Sequence, residues 1–135
     1  MSKPVGLTRD AGWQLGVSRT VAAPREAVWS YLLGDGLATW LGETTLGDSP
    51  GDPYETTLGT RGELRSLRPN DRVRLTWRPA DADHESTVQI ALRDAKSGTT
   101  LVFHHERLRS SEERERLLDH WRAVADEVHA HLDSA

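Results

Sequence analysis

Six histidines, His84, His104, His105, His120, His129 and His131, are the side chains best suited to acid–base or metal chemistry near neutral pH. Metal binding needs ligands that converge on one point. His104 and His105 are neighbours in a segment of alternating character, so they point to opposite faces of a strand. His129 and His131 stand two apart in a helical pattern and diverge around its axis. There is no His-Glu-x-x-His, and neither a metal nor a cofactor is expected. His105 shares the phase of Leu101, Phe103 and Arg107 and is expected to face the interior. There it is either a core histidine with a hydrogen-bond partner or a group that touches a ligand. Glu106 is expected to face away, which argues against a His–Glu dyad in the cavity unless the strand is bulged there. Nucleophilic chemistry has little support: the chain has no cysteine, lacks Gly-x-Ser-x-Gly, and keeps its serines mostly in turns and caps. Gly34-Asp35-Gly36 lacks the lysine of a phosphate-cradling loop. These features favour binding over catalysis.

The composition narrows the function further. A chain of 135 residues is the length of one domain and can bury a core without disulfide or zinc staples. Seventeen basic against 21 acidic residues give a net charge of −4, unlike the basic footprint of a nucleic-acid binder. Arg72, Arg74 and Arg78 form an outward stripe that is expected to pair with neighbouring carboxylates or lie in solvent. No apolar leader opens the chain and no run of apolar residues is long enough to span a membrane, so a cytoplasmic protein is the simplest expectation. Apolar residues are only 36% of the chain, yet five of them are Trp, so a few large rings must carry much of the interior.

The elements that position these residues follow from periodicity. Residues 1–12 read as a flexible N-terminal arm, and residues 13–135 as one domain. Trp13, Leu15, Val17 and Val21 alternate with polar residues and predict a half-buried strand. Arg19 sits in the apolar phase of that strand, either snorkelling at the sheet edge or held inside and paired. Pro24 and Glu26 open a helix whose apolar stripe is Val28, Trp29, Leu32 and Leu33. Leu37, Trp40 and Leu41 make a second, shorter helical turn. Glu43–Pro53, rich in Gly, Pro and Asp, is expected to be the most mobile internal loop and to lie beside a cavity mouth.

Strands are then predicted over Tyr54–Leu58, Arg61–Leu67, Val73–Trp77, Val88–Leu92 and Leu101–His105. Leu64 and Leu67 are out of phase, which predicts a bulge between them. Ser110 or Ser111 caps the last helix, whose apolar stripe runs from Leu117 through Trp121 to Leu132. Short turns between strands make the sheet antiparallel, and the long C-terminal helix is its largest cover, so the fold class is α+β.

The stretch Val17-Ser18-Arg19-Thr20-Val21-Ala22-Ala23-Pro24-Arg25-Glu26-Ala27-Val28-Trp29 resembles the opening of the Aha1-like (activator of Hsp90 ATPase homologue) branch of the START-like, or Bet v 1-like, superfamily. Leu37 to Gly42 is similar to the family's next element, a leucine followed by Trp-Leu-Gly. Gly62-Glu63-Leu64 through Pro69 to Thr76-Trp77 resembles its central hairpin. Gly98-Thr99 to His105-Glu106 is similar to its last strand, and Trp121 stands where the family has a Trp in its C-terminal helix. The resemblance runs over residues 15–132. It implies a helix-grip fold: a curved antiparallel sheet of about six strands wrapped around the long C-terminal helix, with two short helices after the first strand and a cavity between sheet and helix.

Three functions are consistent with that resemblance, because fold alone does not choose among them. The first is non-catalytic binding of an apolar or aromatic small molecule in the cavity, for sequestration, antibiotic self-resistance or sensing. Its expected lining is Trp40, Trp77, Phe103 and Trp121, with Arg19, Tyr54 and His105 as polar points. The second is a chaperone-linked, Hsp90-type interaction protein of the stress response. The third is a cyclase-like or lyase-like enzyme that uses His105 or Tyr54 in the same cavity.

Overall fold

The computed structural model describes residues 7–8 and 12–133. The elements are β1 (Leu7–Thr8), β2 (Gly12–Val21), α1 (Arg25–Leu33), α2 (Leu37–Trp40), β3 (Pro53–Glu55), β4 (Arg61–Arg68), β5 (Arg72–Trp77), β6 (Ser86–Ala95), β7 (Gly98–Leu108) and α3 (Ser111–Asp133). Most of the arm expected over residues 1–12 lies outside the described residues. Leu7 and Thr8 pair with Trp13 and Gly12, and Gly12 itself opens β2.

All neighbouring strands are antiparallel, in the order β1-β2-β7-β6-β5-β4-β3. The sheet is curved, and α3 lies along its inner face, chiefly against β2. This is the helix-grip arrangement. The inner residues follow from strand alternation: Leu15, Val17 and Val21 on β2, Val73 and Leu75 on β5, Val88, Ile90 and Leu92 on β6, Leu101, Phe103 and His105 on β7, all buried. Leu117, Trp121, Val124, Ala125, Val128 and Leu132 form the facing stripe of α3. The α3 start is capped by Ser110, whose Oγ accepts the Glu113 N–H at 3.1 Å, while the Glu113 carboxylate accepts the Arg109 N–H at 2.9 Å.

Local chemistry sets the turns. Asn70 takes φ 64 between β4 and β5, a left-handed conformation that asparagine tolerates. Gly98 opens β7 at φ 150, where a Cβ would collide with the Val21 carbonyl oxygen, so glycine alone fits that approach. The bulge expected near Leu64 is present: Leu64 pairs with Leu75 and Ser66 with Arg74, which leaves Arg65 as the extra residue.

Two expectations are corrected. The strand beginning at Tyr54 ends at Glu55 rather than Leu58, because residues 56–60 turn back on themselves, with the Thr56 N–H on the Thr60 carbonyl at 2.8 Å. Leu58 is left 85% exposed. Arg107 does not share the inner face of His105. Leu15 pairs with His105 but Trp13 with Leu108, so β7 carries one residue more than β2 there. That bulge reverses the phase, turning Arg107 outward and Leu108 into the core.

Trp121 is 1% exposed at the centre of the α3 stripe and its ring lies 5.7 Å from that of Phe103. Trp121→Ala is expected to cost roughly 3–5 kcal/mol through the cavity it leaves, measured as the loss of unfolding free energy in urea. A loss below about 1 kcal/mol would contradict this packing.

Candidate functional site

Four of the expected site residues meet in one cluster where α3 crosses the sheet. The Trp121 indole N–H donates to His105 Nδ1 at 2.9 Å. His105 Nε2 lies 2.7 Å from Ser86 Oγ, and the Ser86 hydroxyl donates to the Trp77 carbonyl oxygen at 3.1 Å. The Trp77 ring packs edge-on against the His105 ring, with centroids 4.9 Å apart, and Phe103 lies against Trp121.

The donors and acceptors in this chain admit one arrangement. An indole N–H only donates, so Nδ1 holds a lone pair and Nε2 carries the proton that goes to Ser86. His105 is therefore a neutral ring with both nitrogens engaged. Its pKa is pushed down to about 3, first by burial and then by His120, His104 and His84 nearby. The pairing looks like a serine–histidine dyad but runs the wrong way for one. A base that activates serine needs its free lone pair on the nitrogen facing the hydroxyl. Here that nitrogen is protonated.

The other expected residues lie apart from this cluster. Trp40 is 3% exposed, and its indole N–H donates to the Leu32 carbonyl at 2.8 Å, tying α2 to α1. Tyr54 is 5% exposed, and its hydroxyl donates to the Thr76 carbonyl at 2.6 Å. Burial, with a smaller push from Glu85, raises its pKa above the ordinary tyrosine value, so its proton is firmly held. Arg19 points to the inner side of β2, half-buried at its edge, with Nε 2.9 Å from Asp126 on α3 and Nη1 donating to the Ser18 carbonyl. Arg19 is thus paired from within the chain.

A cleft of about 460 Å³ opens between the end of β5, the start of β6 and the first turns of α3. Trp77, Ser86 and Leu117 line it from the sheet and helix sides, with His84, Glu113 and Arg116 around them. His84 is 9% exposed. Its Nε2 lies 2.7 Å from Glu113 Oε2, and its Nδ1 lies 3.2 Å from the Glu85 carbonyl oxygen. This pair ties the loop between β5 and β6 to α3 and forms one wall of the cleft. Sequence reasoning missed it, as it missed Ser86. Glu113 carried only the signal of a first-turn acid in the last helix, and His84 only that of a polar loop. Neither signal reaches across the 29 positions that separate them. Of the seven residues expected to line a ligand cavity only Trp77 lines this cleft; Arg19, Trp40, Phe103, His105 and Trp121 do not, and Tyr54 lines a second one of about 540 Å³ beside β3 and β4, together with Pro53 and Arg61.

Residues 22–133 match the family described as Activator of Hsp90 ATPase homolog 1-like protein. The chain belongs to that family, the Aha1-like branch of the Bet v 1-like superfamily. No curated protein matches it in sequence. Among solved structures it is similar to protein MLL2253 from Mesorhizobium loti, at 21% identity and TM-score 0.75, covering 90% of this chain and 98% of that one. It is similar to the Aha1 dimer from Colwellia psychrerythraea, at 15% identity and TM-score 0.74, covering 89% and 96%. It is also similar to DynU16, described as a protein in the dynemicin biosynthetic locus, at 23% identity and TM-score 0.71, covering 90% of this chain and 49% of that one. At these identities the likeness is one of fold. Among the described residues no helix is long and apolar enough to cross a membrane.

Two predictions follow from the site geometry. An unfolded histidine titrates near 6.5 and native His105 only at about 3. Between those values the unfolded chain binds the extra proton, so the His105 contribution is complete above about pH 6.5 and is lost as the pH falls towards 3. At about 1.4 kcal/mol per unit the full window spans roughly 5 kcal/mol. His105→Gln is expected to lower stability at pH 7 and to narrow its gap to the wild type at pH 4, in urea melts; an equal gap at both pH values would contradict the neutral ring. Arg19→Met removes a partly exposed ion pair and is expected to change stability by under about 1 kcal/mol, with ligand binding in the α3 cleft unaltered.

Proposed function

We propose that the chain is a non-catalytic binding protein for an apolar or aromatic small molecule, received between the sheet and α3. The observation that carries this reading is the cleft of about 460 Å³ with the half-buried Trp77 ring at its floor. Drug-sized ligands occupy pockets of roughly 300–1,000 Å³ with an apolar body and a few polar groups. Trp77 and Leu117, with Pro79 and Ala82, supply the apolar contact, and the His84–Glu113 pair, Arg116 and the Asp81 and Asp83 carboxylates make a charged rim. Behind Trp77 stand His105, Phe103 and Trp121, which a ligand passing deeper must displace.

The locked tautomer of His105 and the held proton of Tyr54 support binding without chemistry, since neither group is set up to move a proton. Sequestration or self-resistance against a natural product, in the cytoplasm, is the biological setting this reading would serve; DynU16, similar in fold, is described as a protein in the dynemicin biosynthetic locus. The close filling around Trp121 and Phe103, each 1% exposed, favours as second reading a chaperone-linked interaction protein.

The test is fluorescence titration with the neutral dye Nile red, alongside stimulation of Hsp90 ATPase activity. Saturable one-to-one binding is expected, with Trp77→Leu weakening it tenfold or more, about 1.4 kcal/mol, at unchanged fold. Absence of saturable binding, or equal affinity of Trp77→Leu, would overturn the reading. ATPase stimulation by a chain that binds no dye would establish the second.

A further inference from the structure

A concavity of about 590 Å³, whose lining includes Arg65, Arg74, Arg107, Thr76 and Thr87, lies on the outer side of the sheet and meets the α3 cleft at Ser86, which borders both. Two of these arginines are the products of β-bulges. Arg65 is the extra residue of β4, and Arg107 follows Glu106 in the bulge of β7. Arg107 has φ 66. Asn70 is the other non-glycine residue with positive φ among those described, and it occupies an ordinary turn. A long side chain in the left-handed region destabilises the backbone, and such positions persist where the surroundings impose them, often at sites of function.

The hydrogen-bond inventory of the concavity is dominated by donors. Thr76 is 4% exposed; its Oγ1 accepts the Glu63 N–H at 2.8 Å, which leaves its own proton to give. Thr87 is 6% exposed and its hydroxyl has no partner among the described residues. Arg65 Nη1 meets Glu63 at 2.8 Å, and Arg74 pairs with Glu106 and reaches Gln89 at 3.4 Å. Arg107 has no hydrogen-bond or ion-pair partner among the described residues. Each guanidinium carries five N–H donors, so a single carboxylate contact leaves most of them available. Glu85 lines the concavity as its one carboxylate.

We infer that this concavity is a binding site for a phosphate-type oxyanion carried by a small molecule, distinct from the cleft beside α3. Arg107 is its principal cation, Arg65 and Arg74 complete the charged walls, and the Thr76 and Thr87 hydroxyls donate from the floor. Planar guanidinium groups match the edges of a tetrahedral oxyanion, and the hydroxyls supply the shorter contacts. This site also explains the bulges physically: each inserts one residue into a strand, and both inserted regions bring an arginine to the same outer concavity.

The test is isothermal titration with pyrophosphate at low ionic strength, with inorganic phosphate and phosphatidylglycerol vesicles as separate arms. One saturable site is expected for pyrophosphate. Arg107→Gly gives the left-handed position its preferred residue, so the urea midpoint is expected to hold or rise while affinity falls fivefold or more. Arg65→Gln and Thr87→Val are each expected to weaken binding, and Trp77→Leu to leave it unchanged, which separates this site from the α3 cleft. Absence of saturable binding, wild-type affinity in both Arg107→Gly and Arg65→Gln, or capture by vesicles without pyrophosphate binding would overturn the proposal.

Discussion

The hydrogen-bond chain from the Trp121 indole through His105 and Ser86 to the Trp77 carbonyl is the contact around which the rest of the interior is arranged. It joins α3 to β7, β6 and β5 through side chains nearly or wholly buried. A buried imidazole without partners would be costly; here each nitrogen has one, so burial reinforces the neutral state. The same chain sets the crossing point of the helix on the sheet. Ser86 and Trp77 also border the α3 cleft, so groups that hold the core together are part of its wall.

This arrangement decides the chemistry as well as the stability. A histidine and a serine at 2.7 Å would ordinarily invite a catalytic reading. The indole N–H on the far nitrogen forces the proton to the serine side and removes the lone pair that catalysis would need. Tyr54 is engaged in a comparable way by the Thr76 carbonyl. The polar groups of this cluster and Tyr54 are satisfied from within the chain, whereas Arg72 Nε is buried without a partner among the described residues. The available donors lie instead on the outer face, around Arg107 and Thr87, where the bulges of β4 and β7 interrupt regular pairing.

Much of the fold was legible in local pattern. The alternation of Val73, Leu75 and Trp77 placed one strand, the Leu117–Leu132 stripe placed the covering helix, and the mismatch of Leu64 and Leu67 announced a bulge. His105 was legible as an inward side chain from its phase with Leu101 and Phe103. Arg107 was misplaced by the same reasoning, because period-two alternation carries no sign of a residue inserted two positions further on. Tyr54–Leu58 was read too long, since its residue types suit a strand and the turn at residues 56–60 depends on backbone bonds.

The sequence by itself determined the elements, their amphipathic faces, the antiparallel sheet under one long helix, and the absence of thiol chemistry, because each of these rests on residue type or on a period of two or 3.6 residues. Tertiary structure alone decided which polar groups meet. The partners His105 and Ser86 stand 19 residues apart, His84 and Glu113 stand 29 apart, and Arg19 and Asp126 stand 107 apart. Those distances close only through strand register, the two bulges and the angle of α3 across the sheet. Register and crossing angle are collective properties of packing, and no local window of the chain contains them.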